Sequence, residues 1–129
     1  MGSVFSGLAA TFGLQSAGGR ETTVTKVQAV TPSELLTQYF GSSKIIDYVS
    51  LDIEGGELDV LRSWPWDKWC VQAFTIENNN WCHTDGGYLP QLKHLFNSQG
   101  YAYDRRVHVD EIFVRTTPCR RRLVGAQHR

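Results

Sequence analysis

The stretch KIIDYVSLDIEGGELDVLRSW, Lys44 to Trp64, decides the fold. Its first half, Lys44–Ile53, is mostly apolar at both odd and even positions. That is the pattern of a strand covered on two faces, as in a parallel sheet. Its second half places Leu58, Leu61 and Trp64 at helical spacing until Pro65 stops the turn. Between the halves lie Asp52, Glu54 and Glu57 around the pair Gly55-Gly56. A glycine pair there suits a tight strand-to-helix turn and close approach of a ligand to the backbone.

Outward from this unit the alternation continues. Upstream, Val24–Val30 is β-rich. TPSELLTQYF follows with Thr31 as N-cap, Pro32 at the first helical position and Glu34 completing a capping box. Leu35, Leu36 and Tyr39 are its expected inward face and Gly41 its end. Downstream, Val71–Asn79 reads as a second buried strand. YLPQLKHLFNSQG reads as a helix with Leu89, Leu92, Leu95 and Phe96 inward and Gly100 closing it. YAYDRR and HVDEIFVR then read as an antiparallel hairpin. Strands alternating with helices predict an α/β fold. Residues 1–23 are small and Gly-rich, expected to be a flexible N-terminal segment. Residues 24–115 form the folded unit, and residues 116–129 a basic, disordered tail.

The chain has 129 residues, 41% hydrophobic and 20% charged, which suits one globular domain. Its 13 basic and 13 acidic residues cancel, but unevenly. Arg115, Arg120, Arg121, Arg122 and Arg129 close the chain with no acid among them, leaving the body acidic. The tail reads as a solvated terminus, and no nucleic-acid partner is expected. No apolar run reaches the ~20 residues of a membrane span. Cys70, Cys82 and Cys119 form no C-x-x-C pair. An odd, sparse count argues against a disulfide framework and favours a reducing, cytoplasmic setting.

In open α/β sheets ligands bind beyond the carboxyl ends of the strands. The first strand ends in Asp52, Glu54 and Glu57. The second ends in Glu77, Asn78, Asn79 and Asn80, followed by His83. If the strands are neighbours, both clusters face one crevice. Carboxylates there can take a proton from a hydroxyl, hold a divalent cation or bind sugar hydroxyls. Asp52 inside an apolar stretch needs a partner or a role. Glu57 suits the positive end of a helix. The three tryptophans of WPWDKWC read as a packed cap over the helix end.

IDYVSLDIEGGELDVLRSW closely resembles the signature of FkbM-type methyltransferases, a strand running into D-x-E-G-x-E and then a V-L-containing helix. Asp52, Glu54, Gly55 and Glu57 match that motif, and FTIENN resembles the next strand with its terminal Glu77. GYAYDRRVHVDEIFVR resembles the closing strand pair. The resemblance covers about residues 24–115. It implies a class I, S-adenosylmethionine-dependent O-methyltransferase acting on a hydroxyl of a sugar or other small molecule. It implies a Rossmann-like, mostly parallel sheet with a reversed last strand, flanked by helices. Asp52 and Glu54 are then the expected catalytic residues, and Glu57, Glu77, Asn78 and His83 the expected substrate-binding ones. No G-x-G-x-x-G is found, so the cofactor loop is expected upstream, making this chain a half-domain fragment with doubtful cofactor binding. Two other readings compete. One is an inactive binding or dimerisation module pairing through an exposed sheet edge. The other is a metal-dependent hydrolase using Asp52, Glu54, Glu77 and His83.

Overall fold

Thr31 opens the first helix as its side chain requires. In the computed structural model, its hydroxyl accepts from the Glu34 amide while the Glu34 carboxylate accepts from the Thr31 amide. Both reciprocal bonds of a capping box are therefore present. The structure describes residues 28–41, 43–79 and 87–120. Helix α1 spans Pro32–Phe40 and ends at Gly41, whose φ of 55° needs a residue without Cβ. Strand β1 spans Ile45–Leu51, helix α2 Glu57–Arg62, strand β2 Cys70–Glu77, helix α3 Leu89–Ser98, strand β3 Tyr101–Val107 and strand β4 Asp110–Arg115.

These elements form a mixed α/β structure with a four-stranded open sheet in the order β1-β2-β4-β3. β1 and β2 are parallel, with Leu51 beside Ile76. β4 pairs antiparallel with both β2 and β3, so it alone runs in reverse. The β3–β4 connection is short, with His108 at a φ of 56°. The expected hairpin is present, and the predicted order of elements holds from α1 onward. Most of the expected strand Val24–Val30 lies outside the described residues, as does the expected N-terminal segment.

The core lies between one face of the sheet and helices α2 and α3. Phe74 and Phe113 point there from β2 and β4, and Leu61, Leu92 and Phe96 meet them, all fully buried. Phe96 stacks on Phe113 at 4.0 Å between centroids, and Trp66 lies edge-on to Phe96. Trp64 and Trp69 are buried, with the Trp66 indole donating to the Leu61 carbonyl. The tryptophans thus pack over the end of α2 as a cap. Gly100 closes α3 with a φ of 81°.

Three sequence expectations are corrected. Of the face expected for α1, Leu36 is buried, but Leu35 is 46% and Tyr39 70% exposed. Leu36 joins the core cluster, and the Phe40 ring meets Trp69 edge-on at 6.0 Å between centroids. β1 was expected to be covered on both sides. Instead Asp47, Tyr48 and Ser50 are exposed, because β1 is an edge of the described sheet. The cysteine count argued against a cross-link, yet Cys70 and Cys119 are disulfide-bonded, with Cα atoms 5.8 Å apart. They lie 49 residues apart in sequence. β4 lies beside β2 but reversed, so the chain leaving β4 passes the start of β2. The pairing removes the argument for a reducing compartment. The first part of the expected tail is also tied down. Thr116 donates through its amide to the Gly100 carbonyl, and the Cys119 amide donates to the Gln72 side chain.

Candidate functional site: carboxylates at the strand ends

The parallel pairing of β1 and β2 brings the acids together. Leu51 pairs with Ile76, so one step further along the strands Asp52 comes alongside Glu77. Both point to the face opposite the core, since successive residues of a strand alternate. The chain then turns sharply. Glu54 has a φ of 60° and Gly55 of 111°. That reversal swings the Glu54 carboxylate back over the strand ends. The oxygens of Asp52, Glu54 and Glu77 lie within 4.8 Å of one another. Asp52 and Glu54 are exposed and Glu77 half-buried. Among the described residues, no salt bridge neutralises any of them.

Charge crowding appears in Glu77. Its carboxyl is held above the ordinary value of 4.5, first by burial, then by its hydrogen bond and charge contact with Asp52. The Glu54 charge adds to this, while a hydrogen bond from the Asn79 side chain opposes it. A half-buried carboxyl with raised proton affinity thus sits beside two exposed ones. Such an arrangement can orient a hydroxyl, accept its proton or hold a cation through oxygen.

Glu57 and Asn78 take other places. Glu57 is only 1% exposed. Its carboxylate accepts from the Ile53 amide at 3.0 Å and from the Gly55 amide at 3.0 and 3.1 Å. The Tyr88 hydroxyl lies 3.1 Å from the same carboxylate and also donates to the Glu77 carbonyl. Burial, then the Glu57 charge, raises the Tyr88 hydroxyl well above its ordinary range, so it remains a proton donor. Asn78 is fully buried. Its amide donates to the Val109 carbonyl at 2.8 Å, and its side chain to Glu111 at 2.9 Å. Glu111 is also fully buried, accepting from Tyr103 at 3.0 Å and from the Arg106 guanidinium, with which it forms an ion pair. His83 lies outside the described residues.

Of the residues expected at the site, the structure brings Asp52, Glu54 and Glu77 together and puts Glu57 and Asn78 behind them. Sequence reading missed Tyr88, Tyr103, Arg106 and Glu111. One signal was available. Glu111 alternates with Phe113 in HVDEIFVR, so it had to face inward, and a buried acid needs partners.

A groove of about 580 Å³ between α2 and α3 is lined by Leu58, Arg62, His94 and Leu95 among others, and by none of the three acids. Among the described residues no helix is long and apolar enough to cross a membrane.

No curated protein and no solved structure matches the chain. A family model does. The methyltransferase FkbM domain matches residues 3–103, which takes in α1, β1, α2, β2 and α3 and ends within β3. The match spans the D-x-E-G-x-E stretch and the converging acids that follow from it, and by this measure the chain belongs to the methyltransferase FkbM domain family.

Proposed function

We propose that this chain carries the acceptor side of an S-adenosylmethionine-dependent O-methyltransferase acting on a hydroxyl of a sugar or other small molecule. The observation that carries this reading is the convergence of Asp52, Glu54 and Glu77 at two parallel strand ends. It occurs within a chain of a methyltransferase family.

Uncompensated carboxylates are suited to an acceptor hydroxyl. Asp52 is exposed and projects from the end of β1, where it can accept that proton as the oxygen attacks. Glu54 holds the hydroxyl in line, and alignment of this kind supplies much of the rate. Glu77, beside Asp52, accepts a hydrogen bond from a second hydroxyl of the acceptor. The cofactor supplies an electrophilic methyl group. The groove between α2 and α3 is lined by none of the three acids, and no step on this chain is assigned to holding the cofactor. The reversed last strand of the described sheet supports this reading, since the family resemblance implies one.

Transfer of labelled methyl from S-adenosylmethionine to a panel of sugar and small-molecule hydroxyls tests the reading. Incorporation should fall at least about 100-fold in Asp52→Asn. Incorporation that Asp52→Asn leaves unchanged overturns the assignment. Calorimetry should show binding of S-adenosylmethionine to this chain weaker than micromolar.

A second reading is a binding module. It draws on the β1 edge and on Tyr48, 56% exposed, beside it. Absence of transfer together with self-association on a sizing column would favour it. A monomeric profile at high concentration counts against it. The metal-dependent hydrolase reading draws on the same three acids. It requires a thermal shift with Mn²⁺ or Zn²⁺ that EDTA reverses.

A further inference from the structure

Glu57 sits in the first turn of α2, where an acid usually serves the helix dipole. Its side chain does something different. It reaches back to the amides of Ile53 and Gly55, which precede the helix. Those two amides flank Glu54, whose φ of 60° a side-chain-bearing residue rarely adopts. The carboxylate therefore pins the one residue of the turn that most needs pinning. It is 1% exposed, and among the described residues no Lys or Arg pairs with it. Burying an anion on amide and hydroxyl donors alone is costly unless the donors are held in place. A substrate has nothing of it to reach.

Tyr88 completes the arrangement. It lies at the start of α3, and its one hydroxyl proton serves both the Glu57 carboxylate and the Glu77 carbonyl. The turn after β1 is thereby tied to the last residue of β2. Asp52 and Glu54 belong to one side of this tie and Glu77 to the other. Without it, the two strand ends beyond Leu51 and Ile76 share no further ladder pairing.

We propose that Glu57 and Tyr88 are positioning residues. Their shared hydrogen bonds lock the Ile53–Gly55 turn to the end of β2 and set the spacing at which Asp52, Glu54 and Glu77 present their oxygens. The inference rests on the reading that those three acids act together at the acceptor site. It replaces a substrate-binding role for Glu57.

The test uses Tb³⁺ as a probe of oxygen spacing, read by sensitised luminescence. The wild-type chain should bind it, and Asp52→Asn should abolish the signal. Tyr88→Phe and Glu57→Gln should each weaken binding at least tenfold, and Asp59→Asn on the exposed side of α2 should not. Amide exchange at Ile53 and Gly55 should quicken at least tenfold in Tyr88→Phe, with the β2 core amides unchanged. Tyr88→Phe keeps the ring, so it carries the test should Glu57→Gln fail to fold. Wild-type affinity in a folded Tyr88→Phe overturns the proposal, and so does weakening that only tracks loss of thermal stability. Failure of the wild-type chain to bind Tb³⁺ also overturns it, because the three oxygens then do not converge. The methyl-transfer reading is judged separately, by label incorporation in Asp52→Asn.

Discussion

Two groups of carboxylates sit at the same end of this sheet, one strand apart, and they are treated in opposite ways. On β4, Glu111 is fully buried and receives Arg106, Tyr103 and Asn78. At the ends of β1 and β2, Asp52, Glu54 and Glu77 crowd together, and among the described residues no Lys or Arg forms an ion pair with them. Glu111 pairs with Ile76, the immediate neighbour of Glu77. The difference is therefore set by the face and the partners, not by the location. A carboxylate with its hydrogen bonds filled braces the fold. Carboxylates left unfilled at real electrostatic cost are available for chemistry.

The comparison breaks if the two groups respond alike to substitution. Glu111→Ala removes the buried acceptor shared by Asn78, Tyr103 and Arg106, and should cost about 3–5 kcal/mol. Chemical denaturation would show this as a midpoint shift, and heating as a fall of roughly 10 °C or more. An effect below about 1 kcal/mol would mean that the buried network does not brace the sheet. The Cys70–Cys119 bond lies at the other end of β2 and gives a reference unrelated to carboxylates. Closing a loop of 49 residues contributes about 4 kcal/mol on the chain-entropy account. Cys119→Ser should therefore lower the thermal midpoint by roughly 10 °C or more, and added reductant should leave that variant unchanged.

Asp52→Asn is the opposite case. Stability should move by less than about 0.5 kcal/mol, while methyl transfer falls by the factor given above. A large loss of stability would place Asp52 with Glu111. The smallest effect is expected of Glu77→Gln, and its sign is informative. Folding raises the proton affinity of Glu77. The folded state then binds more protons than the unfolded one through this group, so its contribution is lost as pH rises from near 4.5 through the folded value. Removing the charge should raise the thermal midpoint slightly at pH 7, and the gain should vanish as pH falls below the ordinary value of 4.5. Destabilisation at pH 7 would show that Glu77 is paired after all.

Much of this organisation was legible from residue patterns. Thr31 and Glu34 announced α1, and the spacing of Leu92 and Phe96 gave α3. The odd-even reading of residues 101–115 gave the hairpin. The acid-rich turn after Leu51 marked the candidate site, where three of the predicted acids converge. Long-range facts were not legible. Nothing local in Cys70 or Cys119 shows that the reversal of β4 brings them together. Glu57 and Glu54 stand three apart in one motif, yet one is buried and the other exposed. That division depends on the φ of Glu54 and on Tyr88, 31 residues further along. Leu35 and Tyr39 show the converse limit, since helical spacing names a face without saying that anything covers it.

The reversal of β4 also polarises the molecule. Lys44 and Lys68 precede the two parallel strands, and Arg115 ends the reversed one with Arg120 beyond it, so all four lie at the end where the disulfide sits. Asp52, Glu54 and Glu77 occupy the other end. Among the described residues, Arg105 and Arg106 near the acid end are paired with Asp104 and Glu111, so a charge separation, and with it an electric moment, runs along the strands. Such a moment turns the molecule in the field of an approaching ion, so that a cation such as a sulfonium meets the carboxylate end first and an anion meets the arginines. The preference weakens as salt shortens the screening length to about 8 Å at physiological ionic strength.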